Sequence, residues 1–260
     1  MKKKISIITI NYNNLDGLKR TIESVVNQTW QEFEYIVIDG GSTDGSAQYI
    51  ETQSANIDYW VSEPDKGIYN SMNKGIAKAT GDYLLFLNSG DHFYSNTVLQ
   101  ENHTSINTFD LIYFNLNVVV GETNNIKTYP DQLSFSYFVK DTLPHPATFI
   151  RANLFDKMGM YDESLKIISD WKFFMESLFK WNASYCKVDA VLSTFYFDGI
   201  SSDSANSNML NQERQIVLNS TFKGFIDEIN ELVLLRTIVS NFRKSKTIKL
   251  LVKLGLLNKF

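Results

Sequence analysis

Four short apolar runs in the first 95 residues alternate with segments whose apolar residues recur at helical spacing. The runs predict strands over residues 4–10, 35–38, 57–61 and 83–87. The segments between them predict helices over about 18–27, 46–52 and 68–79. Strands and helices that alternate with short connections indicate parallel, right-handed βαβ units. We therefore expect an α/β fold with a mostly parallel central sheet flanked by helices, of the Rossmann-like kind.

The pattern changes after residue 91. Residues 110–120 predict a strand, 121–125 a turn into a partner strand, 171–180 a helix and 184–197 an extended segment. Residues 130–170 look irregular and are rich in aromatic side chains. The sequence is helical in pattern from residue 211 onward. We expect a main domain over 1–205, in two halves of 1–95 and 96–205, and a C-terminal helical extension over 206–260.

Composition narrows the class of protein. The chain has 260 residues, 43% of them hydrophobic, as is typical of a globular protein with a core of its own. A net charge of −4 gives no reason to expect nucleic acid as a partner. Cys186 is the only cysteine, which excludes an internal disulfide and a cysteine-based metal site, and fits a reducing, cytoplasmic compartment. The apolar stretch 5–10 is too short for a signal-peptide core, and no run is long enough to span a membrane.

Acidic turns follow two of the predicted strands. Asp39 and Asp44 lie in the Asp-Gly-Gly-Ser-Thr-Asp-Gly turn of residues 39–45, and Asp91 ends the Asn-Ser-Gly-Asp turn of residues 88–91. Ligands of open α/β sheets bind at the carboxyl ends of the strands, so the two turns suggest a site for a sugar nucleotide and a divalent ion. The alternatives are that Asp39 and Asp44 only cap the next helix and that the second turn is an ordinary polar turn. The absence of GxGxxG and P-loop patterns disfavours a dinucleotide-binding fold or a P-loop NTPase.

Four stretches taken together resemble the family 2 glycosyltransferases of the GT-A fold: residues 5–11, 37–45, 63–75 and 86–91. The resemblance covers residues 4–95 well and extends weakly to about 200. It implies that residues 1–205 form the catalytic domain, with a nucleotide-sugar-binding half over 1–95 and an acceptor-binding half over 96–205. The expected enzyme is an inverting hexosyl or related glycosyltransferase, with a nucleotide-diphosphate sugar as donor and a UDP-sugar favoured. The acceptor would be a hydroxyl of a glycan or a lipid-linked saccharide.

The resemblance also assigns roles to residues. The expected contacts with the donor are made by Thr9, Asn11 and Tyr12 at the base and ribose, Asp39 at the base, and Asp65, Lys66, Asn73 and Asn88 near the rest of the sugar nucleotide. Asp91 would bind the divalent cation, Mn²⁺ or Mg²⁺. Of the acids in the family's Asp-x-Asp motif, only the last is present here, as Asp91. We therefore expect weaker binding of the metal ion than is usual in the family. For the segment around Asp65 and Lys66, the alternative is a solvated loop ion pair.

Asp170 is the candidate catalytic base, because the family places an acidic pair at this point and Ser169 replaces its first member. A plain helix cap is the alternative role for Asp170. His145, between two prolines, could face the acceptor or the diphosphate, although a lone histidine is more often structural. His92 and His103 carry no assigned role.

The tail over residues 242–260 contains six lysines and arginines, no acid and an apolar side. A basic amphipathic helix of this kind can lie on the inner face of the cell membrane; packing on its own domain or on a second subunit is the alternative. Two other functions compete with glycosyl transfer: a nucleotidyltransferase and a non-catalytic sugar-nucleotide-binding protein. The donor sugar, the acceptor and the oligomeric state are not readable from the sequence.

Overall fold

The fold is described from a computed structural model, in which residues 4–197, 204–254 and 257 are described. Two compact units divide the chain, residues 1–213 and residues 214–260. The first unit is an α/β domain built on one sheet of nine strands. The α/β class predicted from the sequence is confirmed.

The first half of the sheet is parallel. Its strands are β1 (Ile5–Asn11), β2 (Phe33–Asp39), β3 (Tyr59–Ser62) and β4 (Tyr83–Phe86), in the spatial order β3-β2-β1-β4. The helices that connect them are α1 (Leu15–Val26), α2 (Ser46–Thr52) and α3 (Ile68–Lys78). The register pairs Asn11 with Asp39, and Asp39 with Ser62, so these three strands end side by side.

Helix α3 packs unusually close to the sheet. A Cβ atom on Gly75 would lie only 2.5 Å from Cγ2 of Ile8 in β1, so the helix reaches this depth because residue 75 is glycine. The close packing fixes α3, which carries Asn73 and follows the turn with Asp65 and Lys66, relative to the carboxyl ends of the strands.

The second half of the sheet is mixed. Its strands are β5 (His92–Phe93), β6 (Leu111–Val120), β7 (Thr123–Lys127), β8 (Thr148–Arg151) and β9 (Tyr185–Tyr196). β8 is antiparallel to β4 and to β6, β9 is parallel to β6, and β5 and β7 are antiparallel edge partners of β9 and β6. The parallel pairing expected from the sequence thus holds throughout the first half, whereas antiparallel pairs join the second half to it. Its helices are α4 (Val98–Asn102), α5 (Phe135–Phe138), α6 (Asn153–Met158) and α7 (Ser169–Phe179).

Residues 130–170 are more regular than their sequence suggested, because β8, α5 and α6 lie there. β8 has only four residues, too few for a periodic signal, yet it is the strand that joins the two halves of the sheet. Helix α1 begins at Leu15, three residues before its predicted start, because the side chain of Asn14 caps it by accepting from the Gly17 amide.

The C-terminal helices are α8 (Ser207–Thr221), α9 (Lys223–Lys244) and α10 (Lys246–Lys253). They confirm the predicted helical extension, and α8 crosses the boundary between the two units. The basic tail is not one helix, since Ser245 adopts an extended conformation between α9 and α10. None of the helices in the described part of the chain is long and apolar enough to cross a membrane. Residues 198–203, between the predicted extended segment and the C-terminal helices, and the last residues of the tail, 255–256 and 258–260, lie outside the described residues.

Candidate functional site

Asp39 lies at the carboxyl end of β2 and is fully buried. Its Oδ1 accepts hydrogen bonds from Nδ2 of Asn11 at 2.7 Å and Oγ of Ser42 at 2.5 Å. Its Oδ2 accepts from the Ser42 amide at 2.9 Å and from Oγ of Ser62 at 2.6 Å. Burial by itself would raise the pKa of Asp39, but these hydrogen bonds outweigh burial and hold the pKa below its ordinary value of 3.8.

The four donors occupy both oxygens of Asp39, so a direct contact with a nucleobase would require one of them to move away. What the geometry shows is an ionised carboxylate that ties the ends of β1, β2 and β3 together. Its expected contact with the base stays a prediction.

Asp44, at the other end of the same turn, has the capping role that the sequence left open. Its Oδ2 accepts from the amide of Leu15 at the start of α1, at 2.9 Å. Its Oδ1 accepts from the amide and hydroxyl of Ser46 at the start of α2, at 3.1 and 2.6 Å. Burial acts to raise the pKa of Asp44, but these bonds prevail and lower it.

The candidates on β1 differ in exposure. Thr9 is fully buried, and its hydroxyl donates to the carbonyl oxygen of Leu87 at 2.7 Å, so it joins β1 to the end of β4. Asn11 is 3% exposed, and its Oδ1 is buried without a hydrogen-bond partner. Tyr12, the next residue, is 65% exposed. Of the three, Tyr12 offers a free aromatic ring and Asn11 a buried acceptor beside Asp39.

Asp65 approaches the same place from the turn before α3. A Cβ atom on Gly40 would lie 2.3 Å from Oδ2 of Asp65 and 3.3 Å from Cδ2 of Tyr12, so both side chains crowd the glycine that follows Asp39. Oδ1 of Asp65 accepts from the Gly67 amide at 2.9 Å, and Oδ2 accepts from the hydroxyl of Ser71. Asp65 is partly exposed, in contrast to Asp39. Of Asp39 and Asp65, the two carboxylates next to Gly40, solvent therefore reaches only Asp65.

Lys66 and Asn73, on either side of the first turn of α3, are placed differently from each other. Lys66 is exposed. Asn73 is bonded to the loop before α7: its Nδ2 donates to the Tyr161 carbonyl at 2.9 Å and to Glu163 at 2.8 Å, and its Oδ1 accepts from the Tyr161 amide at 3.0 Å. Asn73 thus holds the loop that carries Tyr161.

The Asn88–Asp91 turn lies beside the end of β1, where the Ser89 amide donates to the Ile10 carbonyl at 3.0 Å. The hydroxyl of Thr21 in α1 holds the turn by donating to the Asp91 carbonyl at 2.6 Å and accepting from the Gly90 amide at 3.0 Å. Gly90 has a positive φ of 110°, which glycine adopts without strain.

The Asn88–Asp91 turn provides few side chains that could act as metal ligands. No group of three or more His, Cys, Asp or Glu side chains within the described ranges could hold a metal ion. Asp91 is accompanied by Oδ1 of Asn88, which is buried without a hydrogen-bond partner. Mg²⁺ and related ions prefer oxygen ligands and often take one or two carboxylates plus substrate phosphates. The role of Asp91 as a cation ligand, with the remaining ligands supplied by a diphosphate, stays a prediction.

Asp170 lies in the first turn of α7, directly after Ser169, and is partly buried. Its Oδ1 accepts a hydrogen bond of 2.7 Å from the phenol of Tyr69 in α3. No side chain in the described part of the chain donates to its Oδ2, which leaves that oxygen available to a substrate proton. Burial, and then the negative charge of Asp170, raise the pKa of Tyr69 well above its ordinary value, so the phenol stays a donor.

His145 lies in an aromatic cluster close to Asp170. Its ring stacks on Phe86 with centroids 4.7 Å apart, and its Nε2 lies 2.9 Å from the hydroxyl of Tyr161. Burial lowers the pKa of His145, and the charge of Asp170 offsets part of that shift. His145 is 8% exposed. His145 is thus a buried member of the aromatic cluster near Asp170, and a contact with substrate stays a prediction.

The structure brings the candidates into two groups that share α3. The first group, at the ends of β1 and β2, contains Asn11, Tyr12, Asp39 and Asp65. The second contains Asp170 and His145 with their tyrosine partners. Sequence reasoning missed Ser42, Ser62 and Tyr69. Ser62 and Tyr69 bond to residues far along the chain, Asp39 at 23 positions and Asp170 at 101 positions. Only Ser42 carried a signal, since it lies three residues after Asp39 in the polar turn.

Comparisons with known proteins bear on the family and the fold of the chain. Residues 6–157 match the model of the family described as Glycosyl transferase family 2. An uncharacterized glycosyltransferase of Mycobacterium tuberculosis is 37% identical over 178 residues, which cover 66% of this chain and 68% of that protein. A PGL/p-HBAD biosynthesis glycosyltransferase of Mycobacterium bovis is 31% identical over 174 residues, which cover 65% of this chain and 67% of that protein.

Solved structures give the same fold at lower identity. Residues 1–349 of Staphylococcus aureus TarS, in complex with UDP, superpose with a TM-score of 0.61 and 20% identity, covering 74% of this chain and 60% of that one. The mannosyltransferase PcManGT of Pyrobaculum calidifontis, in complex with GDP-Man and Mn²⁺, superposes with a TM-score of 0.57 and 12% identity, covering 74% and 56% of the two chains. At such identities the structural likeness establishes the GT-A type of fold alone.

Proposed function

Since the chain belongs to glycosyl transferase family 2, we propose that it transfers a sugar from a nucleotide-diphosphate sugar to an acceptor hydroxyl with inversion at the anomeric carbon. One observation carries the proposal: the segment from Asp65 to Ser71 links the two groups of candidates. Asp65 lies against Gly40 at the end of β2, and Tyr69, four residues later, donates to Asp170. A donor bound at the first group would therefore lie close to a carboxylate suited to act as a base.

The base of the nucleotide would lie on the exposed ring of Tyr12 and be recognised by Asp65. An imide N–H, as in uracil, pairs well with a carboxylate acceptor, and Asp65, unlike the buried Asp39 beside it, is partly exposed. Asp39 would hold Asn11 and Ser42 in place through its hydrogen bonds to them, without contacting the base itself. The likeness to TarS in complex with UDP is consistent with a uridine nucleotide.

The chemical step is a single displacement. Oδ2 of Asp170 would take the proton of the acceptor hydroxyl while the acceptor oxygen forms a bond to the anomeric carbon. The bond from that carbon to the diphosphate oxygen breaks, and the nucleoside diphosphate leaves. Asp91 and Asn88 would hold a divalent cation, which when bound neutralises charge on the leaving diphosphate.

The acceptor would be a hydroxyl of a glycan or a lipid-linked saccharide. Support for this class comes from the relative named for PGL/p-HBAD biosynthesis. A location in the cytoplasm, with the basic C-terminal segment on the inner membrane face, would suit a lipid-linked acceptor.

The test is a nucleoside-diphosphate release assay on a panel of UDP-, GDP- and TDP-sugars, with Mn²⁺ added or chelated. Asp170→Asn should lower turnover by roughly 10²–10⁴-fold, as expected for loss of a general base, and leave donor binding intact. Glu176→Gln is the matched control, because it removes one carboxylate from the same helix, where Glu176 pairs with Lys180 at 3.3 Å. Full turnover in the Asp170 variant would refute the assignment. Pyrophosphate release would instead identify a nucleotidyltransferase, and donor binding without turnover a binding protein.

A further inference from the structure

Arg20 in α1 has no role in the reaction proposed above. Its guanidinium carbon lies 4.0 Å from the centroid of the Tyr196 ring, at the end of β9. The hydroxyl of Tyr196 lies 3.3 Å from Nε2 of His92 in β5. The aromatic ring therefore fixes the guanidinium in one place by a cation–π contact.

The charge of Arg20 has no partner of opposite sign in the described part of the chain. Its Nε is buried without a hydrogen-bond acceptor, and no ion pair or hydrogen bond of its side chain occurs among those residues. A guanidinium remains protonated at any physiological pH. Burying a donor of a charged group without an acceptor is costly. The Arg20 side chain as a whole is only partly buried, so a ligand from solvent can supply the missing acceptor.

This cation stands at the same edge of the sheet as the candidate site. β9 is parallel to β6, and β6 points the same way as β4 because β8 is antiparallel to both. Tyr196 therefore ends β9 on the side where β1 and β4 end. Thr21, the residue after Arg20, is hydrogen-bonded to the Asn88–Asp91 turn.

We propose that Arg20, held against Tyr196, binds a phosphate group of a substrate beside the Asn88–Asp91 turn. The guanidinium fork matches two oxygens of a phosphate, and the negative charge would complete the unpartnered group. The phosphate would come from the diphosphate of the donor or from a phosphate on the acceptor. The inference rests on the proposed function for what that substrate is.

Calorimetric titration with UDP and with UMP separates the two sources. If Arg20 binds the β-phosphate of the donor, Arg20→Gln should weaken UDP binding by about tenfold or more, as for loss of a charged hydrogen-bond partner, and leave UMP binding unchanged. If the phosphate belongs to the acceptor, UDP binding is unchanged, and binding of octyl phosphate to the UDP-loaded protein is lost in the variant.

Lys19→Gln is the matched control. It removes one positive charge from the neighbouring position of the same helix, where Lys19 lies over the ring of Tyr49 instead. Arg20→Lys keeps the charge and should retain part of the binding, and thermal unfolding of each unliganded variant shows whether the fold is intact.

The outcomes are distinct. If the wild type binds UDP and octyl phosphate and folded Arg20→Gln binds both equally well, Arg20 is a structural contact and the inference fails. An equal loss in Lys19→Gln would mean that only overall charge matters, and would also overturn it. A wild type that binds no nucleoside diphosphate would instead defeat the proposed function.

Discussion

Replacing Asp39 by asparagine tests whether a buried carboxylate, rather than a ligand contact, holds the carboxyl ends of the first strands together. The asparagine side chain has nearly the same shape but keeps only one oxygen. Of the four donors to Asp39, two would then face an NH₂ group. The Ser62 hydroxyl can rotate and accept instead, but the backbone N–H of Ser42 cannot.

The loss of stability in Asp39→Asn can be estimated from the number of donors that lose their acceptor. A buried donor left without an acceptor costs about 1–3 kcal/mol, and hydrogen bonds to a charged group are worth about 1.5–3 kcal/mol. Allowing for the rotating hydroxyl, we expect Asp39→Asn to lower the free energy of unfolding by about 2–4 kcal/mol at pH 7. Ser62→Ala, which removes a single donor, should cost about 1 kcal/mol.

Urea denaturation followed by tryptophan fluorescence measures both variants. The pH dependence gives a second check. Because the pKa of Asp39 lies below its ordinary value of 3.8, its ionised form stabilises the fold at pH values above the unfolded-state pKa. That contribution is lost as the pH falls through the lower, folded-state pKa. The gap in stability between wild type and Asp39→Asn should stay constant from pH 7 to about pH 5 and narrow below about pH 4. An Asp39→Asn protein as stable as the wild type at pH 7, or a gap that widens in acid, would refute the reasoning.

Two further predictions concern the site itself. Tyr69→Phe removes the donor to Asp170, so turnover in the release assay should fall by roughly tenfold with UDP affinity unchanged; a fall in affinity alone would place Tyr69 in donor binding instead. Gly40→Ala would bring a Cβ within 2.3 Å of Asp65, so the carboxylate must move and titration should show UDP binding weakened by about tenfold with little change in melting temperature. UDP binding at wild-type strength in Gly40→Ala would argue against the role of Asp65.

The order of strands and helices in the first half could be read from the sequence, because apolar periodicity and short polar turns are local properties. The same signals located Asp39, Asp91 and Asp170 at the ends of elements. The second half was less readable, since β8 is too short to show a period and still joins the two halves of the sheet.

Tertiary structure decided what each polar residue can do. Whether a carboxylate is buried and bonded, like Asp39, or open to solvent, like Asp65, depends on neighbours supplied by other strands. The same holds for Tyr69, whose partner Asp170 lies 101 positions away, and for Arg20, whose side chain forms no ion pair with an acid among the described residues. Local sequence places a residue on an element, but its hydrogen bonds and solvation are set by non-local packing, so only the folded chain separates a supporting side chain from one that can meet a substrate.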